Sequence, residues 1–174
     1  MIFKIRVVLD AQEDVFRDIA IHSRQTLYDL HTEIKDSFGL QGEELSAFHL
    51  LTPEGEISRS VSLEDLSDHG GGETFEKVYI EEFFNLEGDK AQFQYGFIEL
   101  WEFFCEYISA KEEHEDVLLP TTVFRFGELP SDPPTKNPGF FGEQGPLLYE
   151  GDLGIDQGFD EFSSYGEEDC EEDF

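Results

Sequence analysis

Ile2-Phe3-Lys4-Ile5-Arg6-Val7-Val8-Leu9 is a run rich in β-branched residues, and Asp10-Ala11-Gln12-Glu13-Asp14 after it has turn composition. Val15 to Ile21 then alternates, with Val15, Arg17, Ile19 and Ile21 on one side and Phe16, Asp18 and Ala20 on the other. Two such runs joined by a short polar turn predict a β-hairpin. Thr26-Leu27-Tyr28-Asp29 opens the clearest helix. Thr26 is placed to cap it, and Asp29 stands where the Glu or Gln of a capping box usually lies. Leu27, Leu30, Ile34 and Phe38 recur at helical spacing, and Gly39 supplies the stop. That helix is expected to lay its apolar face on the hairpin.

Further along, Ala47–Leu51 reads as a strand ended by the turn Thr52-Pro53-Glu54-Gly55, with Ile57–Val61 returning. Ser62 to Leu66 has the pattern of one capped helical turn. Residues 77–86 fit a strand or a short helix equally. Gly88-Asp89 marks a turn, then Ala91–Ile98 and Trp101–Ser109 read as paired strands, and Leu118–Phe126 as the last. Pro130, Pro133 and Pro134 close the folded part. The class that follows is α+β: a mostly antiparallel sheet built from hairpins, with one main helix packed on it in a roll-like arrangement. The division expected is a domain at 1–130 and an acidic, glycine- and aromatic-rich tail at 131–174, disordered or extended.

Charge bounds the partners. The 174 residues carry 41 acids against 11 Lys and Arg, a net of −30. From Ser131 onward there are 13 acids and one base, Lys136, so the first 130 residues are acidic in their own right, at 28 against 10. Phosphate backbones and anionic lipid repel such a surface, which speaks against direct nucleic-acid or membrane binding. A basic protein is the partner that the charge favours. No apolar run approaches the roughly 20 residues of a membrane span, and the N-terminus lacks the pattern of a signal peptide. A cytoplasmic location is the expectation.

The order of elements resembles the plasmid ORF-3-like family, small α+β domains carried on plasmids and other mobile elements. Leu27-Tyr28-Asp29-Leu30-His31-Thr32-Glu33-Ile34 is similar to the family's leucine–x–x–leucine–histidine–x–x–isoleucine helix. Gly88 to Phe97, with Trp101-Glu102-Phe103, stands where the family has an aromatic–Asp–Phe–Gly–Asp–x–Trp hairpin, and Phe126-Gly127-Glu128-Leu129-Pro130 is similar to its closing segment. Gly96, Ile98 and Glu99 replace the hairpin's Asp, Gly and Asp. The resemblance implies a fold over about residues 1–130 and no defined activity.

Catalytic patterns are sparse. Adjacent acids such as Glu43-Glu44 and Glu112-Glu113 are ordinary on a solvated surface. His22, His31, His49, His69 and His114 include no pair at metal-ligand spacing, and Cys105 and Cys170 form no CxxC. Cys105 lies among Phe103, Phe104 and Tyr107, a setting for an inert thiol. No catalytic, cofactor or metal residue is assigned, and none of the sequence implies a cofactor. Asp152, Asp156 and Asp160 lack the order of a calcium loop.

Candidate contacts with a partner or ligand are Tyr95, Glu99 and Trp101 in the 91–109 hairpin, with Phe159, Phe162 and Phe174 in the tail. Tyr95, Phe97, Trp101 and Phe103 share one side of the hairpin if it runs unbroken. The last residues, Glu171-Glu172-Asp173-Phe174, are similar to the acidic, Phe-terminated tip of bacterial single-stranded-DNA-binding proteins. The function expected is a non-enzymatic interaction or accessory module whose tail docks a basic protein. The alternatives are a small-molecule site or unrecognised enzyme built on the hairpin, and an acidic mimic of DNA.

Overall fold

The computed structural model describes residues 1–112 and 118–134, and Met1–Pro134 forms one compact unit. Its seven strands are β1 (Ile2–Leu9), β2 (Phe16–His22), β3 (Ser46–Leu51), β4 (Ile57–Ser62), β5 (Lys90–Tyr95), β6 (Trp101–Lys111) and β7 (Thr121–Phe126). They form one sheet in the order β4-β3-β5-β6-β1-β2-β7, and every pairing is antiparallel. The helices are α1 (Leu27–Phe38) and a single turn, α2 (Ile80–Phe83).

Both N-terminal elements form where local chemistry puts them. β1 and β2 pair from Ile2 opposite His22 to Val8 opposite Phe16. At the start of α1, Thr26 N donates to Asp29 Oδ2 at 2.8 Å and Asp29 N donates to Thr26 Oγ1 at 3.4 Å, so Asp serves in the capping box. Gly39 ends the helix at φ 74°, its N–H returning to the Lys35 carbonyl at 2.8 Å. Replacing Thr26 with alanine removes the cap acceptor, and urea unfolding should then show a loss of about 1 kcal/mol.

One sheet face carries the core. Ile5, Val7, Phe48, Phe93, Phe103 and Cys105 are fully buried on it, together with Leu27, Leu30 and Ile34 of α1. Phe48, Phe75, Phe93 and Phe103 are linked through Phe93, whose ring centre is 4.6 Å from Phe48 and 5.9 Å from Phe103, while Phe75 lies 5.0 Å from Phe48. The opposite face is open, as is common in antiparallel sheets. In register across it run Phe126, Phe16, Val8, Phe104, Gln92, His49 and Ser60. Also on this face, Asp18 is buried by Lys4 at 3.0 Å and Arg6 at 2.7 Å. The Arg6 hydrogen bond, ahead of Lys4, holds the Asp18 carboxyl below the usual range.

Three sequence expectations require correction. Ser62–Leu66 is not a helical turn. Ser62 ends β4, and Asp65 instead accepts from Ser67 N and Oγ and from the N–H groups of Gly71 and Gly72, closing a loop. β5 stops at Tyr95 rather than running to Ile98. The last strand starts at Thr121, not Leu118.

Candidate functional site

The segments at the end of the sheet where β5 meets β6 carry Leu45, Leu66, Phe97, Ile98 and Leu100, all exposed. Tyr95 and Trp101 are the last pair of the ladder. Gly96 then turns the chain at φ 98°, a position where a Cβ would lie 2.1 Å from the Glu99 carbonyl oxygen, so only glycine fits. The Gly96–Leu100 loop that results leaves Phe97 79% and Ile98 93% exposed. Phe97 therefore does not share a face with Tyr95, Trp101 and Phe103, because the strand that would have aligned it has ended. Tyr95 and Trp101 are buried posts under this loop. The Tyr95 hydroxyl is shared between the carbonyls of Gln41 (2.9 Å) and Gly42 (2.7 Å).

Gly96 N also donates to the Leu45 carbonyl at 2.9 Å, bringing the β3 approach alongside. A shallow cavity of about 120 Å³ opens here, lined by Leu45, Ala47, Leu63 and Leu66 and by Ser62, Glu64 and Gln94. Its floor is the open sheet face and one wall is the loop tied down by Asp65. Among the described residues no lysine or arginine lines it.

Beside the cavity a polar network crosses four strands. Gln92 Nε2 and Gln94 Nε2 both donate to Oε1 of Glu102, at 3.0 and 3.1 Å. With its amide nitrogen so engaged, Gln94 presents Oε1 to His49 Nε2 at 3.2 Å, which assigns the proton to that nitrogen. His49 Nδ1 is then an acceptor for the Ser60 hydroxyl at 2.8 Å. Charge is held at the Glu102 end and hydroxyl at the exposed Ser60 end. Of these residues only His49 was weighed from sequence, as one of five histidines without metal-ligand spacing. The signal was the shared strand parity of His49, Gln92 and Gln94, visible only once the pairing is known.

His31 lies on the core side of the same region, 3% exposed and surrounded by Tyr28, Phe75, Phe93 and Tyr95. Ser46 Oγ donates to the Glu44 carbonyl at 3.1 Å, so His31 Nε2–H donates to Ser46 at 3.3 Å, and Nδ1 has no hydrogen-bond partner among the described residues. Burial, helped by Lys35 and opposed by Glu43, lowers its pKa to about 4. Cys105 is wholly buried, and burial pushes its thiol pKa up.

Of the residues proposed from sequence, Tyr95 and Trp101 are thus buried supports and Glu99 is exposed in the loop between them. Phe159, Phe162 and Phe174, and the tail as a whole beyond Pro134, lie outside the described residues. Among the described residues no three His, Cys, Asp or Glu side chains group as a metal site. No helix there is long and apolar enough to cross a membrane.

An antiparallel α+β domain with one open face and an apolar sheet end defines the class. Residues 1–132 match the family described as plasmid pRiA4b ORF-3-like protein, and the chain belongs to it. In fold it is similar to a protein of unknown function, MM3350, from Methanosarcina mazei Go1. That crystal structure shares a TM-score of 0.62 and 20% identity, over 71% of this chain and 68% of that one. No curated protein matches.

Proposed function

We propose that the protein is a non-enzymatic interaction or accessory module of the cytoplasm, whose segment 131–174 docks a basic protein partner. The observation that carries this reading is the composition of that segment: 13 acids against one base, interleaved with Phe140, Phe141, Tyr149, Phe159, Phe162, Tyr165 and Phe174. Such a composition offers aromatic anchors while its charge steers towards Lys and Arg. The net charge of −30 supports a basic protein over a nucleic acid or an anionic membrane.

The test compares full-length protein with a full-length variant carrying Phe159→Ser, Phe162→Ser and Phe174→Ser as baits in lysate of the producing cells. The expected result is a basic protein recovered by the first, depleted from the second, and weakened by raised salt. Equal recovery by both baits removes the tail aromatics from the function.

A further inference from the structure

We propose that the sheet-end patch formed by Leu45, Leu66, Phe97 and Ile98 docks an amphipathic, lysine- or arginine-rich segment of a protein partner. This takes the basic partner from the reading above but locates the contact on the folded domain, away from the tail. Leu45, Leu66, Phe97 and Ile98 are all at least half exposed, although each is large and apolar. Single exposed apolar residues are ordinary on proteins, but several at one place mark a contact surface. Leu45 and Leu66 line one cavity together with Gly96, and Phe97 and Ile98 follow Gly96 directly.

The patch is also held in shape before any partner arrives. Gly96 and its bond to Leu45 set one side, Tyr95 and Trp101 are buried beneath the loop, and the Asp65 carboxylate accepts four hydrogen bonds that close the other side. Such pre-organisation lowers the ordering cost of association.

Charge selects the occupant. Glu43, Glu44, Glu64, Asp65, Asp68 and Glu99 are exposed in the segments that build the patch. Arg59 and Lys35, the cations closest in sequence to these acids, are already held by Glu73 at 2.6 Å and Glu43 at 3.2 Å. Exposed apolar residues in segments so rich in carboxylates complement a segment with leucine-like residues on one side and Lys or Arg around them. Anionic lipid or phosphate meets repulsion at the same place.

The experiment titrates the full-length protein into a labelled 18-residue Leu/Lys peptide with helical amphipathic spacing, read by fluorescence anisotropy. A scrambled peptide of equal composition and a Leu/Glu peptide are the comparisons. Expected are saturable binding of the amphipathic cation alone, a loss of tenfold or more in L66S/I98S, and a severalfold loss with a shallower salt dependence in E64Q/E99Q. L118S, which alters an equally exposed apolar residue outside the patch, should stay within twofold. All four substituted positions in the patch are exposed, and circular dichroism checks that the fold is kept. Full affinity in L66S/I98S, equal binding of the scrambled peptide, or no saturable binding overturns the proposal. The tail variant F159S/F162S/F174S separates the two readings. If it loses the peptide while L66S/I98S keeps it, the patch is excluded and the tail reading stands; the converse leaves the patch alone.

Discussion

Phe93→Ala lowers the free energy of unfolding by about 3–5 kcal/mol, a large share of the roughly 5–15 kcal/mol that holds a domain of this size. Phe93 is the centre of the aromatic core, without exposed surface, packed on Phe48 at 4.6 Å and on Phe103, His31 and Tyr95 at 5.9 to 6.5 Å between ring centres. Its strand has β3 on one side and β6 on the other, so the backbone cannot collapse into the space left behind. The transfer term and the cavity term therefore both apply in full. Urea unfolding followed by circular dichroism checks it. A loss below about 1.5 kcal/mol would place Phe93 in a site able to relax.

Acidification is the second large effect, and its sign follows from His31. The unfolded chain binds a proton on this imidazole near its ordinary value of 6.5, whereas the folded chain does so only at about 4. Between those values the unfolded state holds more protons, so stability falls as the pH drops and the contribution is fully present above 6.5. The separation corresponds to about 3 kcal/mol in all, of which about 2 kcal/mol is lost between pH 7 and pH 5. The physical cause is that an imidazolium among Tyr28, Phe75, Phe93 and Tyr95 loses its water and sits beside Lys35, an effect that Glu43 offsets in part. His31→Leu removes this titration while leaving every carboxylate in place. The difference between the wild-type and variant stability curves should therefore change by about 2 kcal/mol over that interval, read from urea midpoints at pH 7, 6 and 5. Parallel curves would show that His31 takes up its proton in the fold as it does in the unfolded chain.

Much of the architecture is legible in local chemistry. The ends of β1, the capping pair Thr26–Asp29, the face Leu27–Leu30–Ile34–Phe38 and the Gly39 stop can all be read off neighbours in the chain, because hydrogen bonds within a turn or a helix end define them. The hairpins β1-β2, β3-β4 and β5-β6 are legible for the same reason. Ser62–Leu66 misleads because the Asp65 carboxylate has backbone donors at Gly71 and Gly72 that outcompete a helical turn, and those lie six and seven residues away. Phe97 misleads because alternation continues on paper past Gly96, while the positive φ of that glycine ends the strand.

The candidate site was legible only in its hairpin. Tyr95, Glu99 and Trp101 lie at the β5-β6 end of the sheet, but Leu45 and Leu66 come from other loops, and the Glu102–Gln94–His49–Ser60 network needs the β3-β5-β6 register to exist at all.

By itself the sequence determined the excess of acid, the periodicities, the caps and the turns, because these depend on residues a few positions apart. Only the tertiary structure decided that Arg17 belongs inside. On the strand it shares a side with Val15 and Ile19, and its guanidinium is buried against the Phe38 ring at 4.5 Å, donating to the carbonyls of Phe16, Ser37, Phe126 and Gly127. Burial lowers its pKa, and those acceptors, drawn from residues up to 110 positions away, are what make the site habitable for a charge. The same holds for His31, whose helix position any sequence shows but whose aromatic enclosure is assembled from α1, β5 and the segment around Phe75. Desolvation is a property of the assembled fold, and no local pattern carries it.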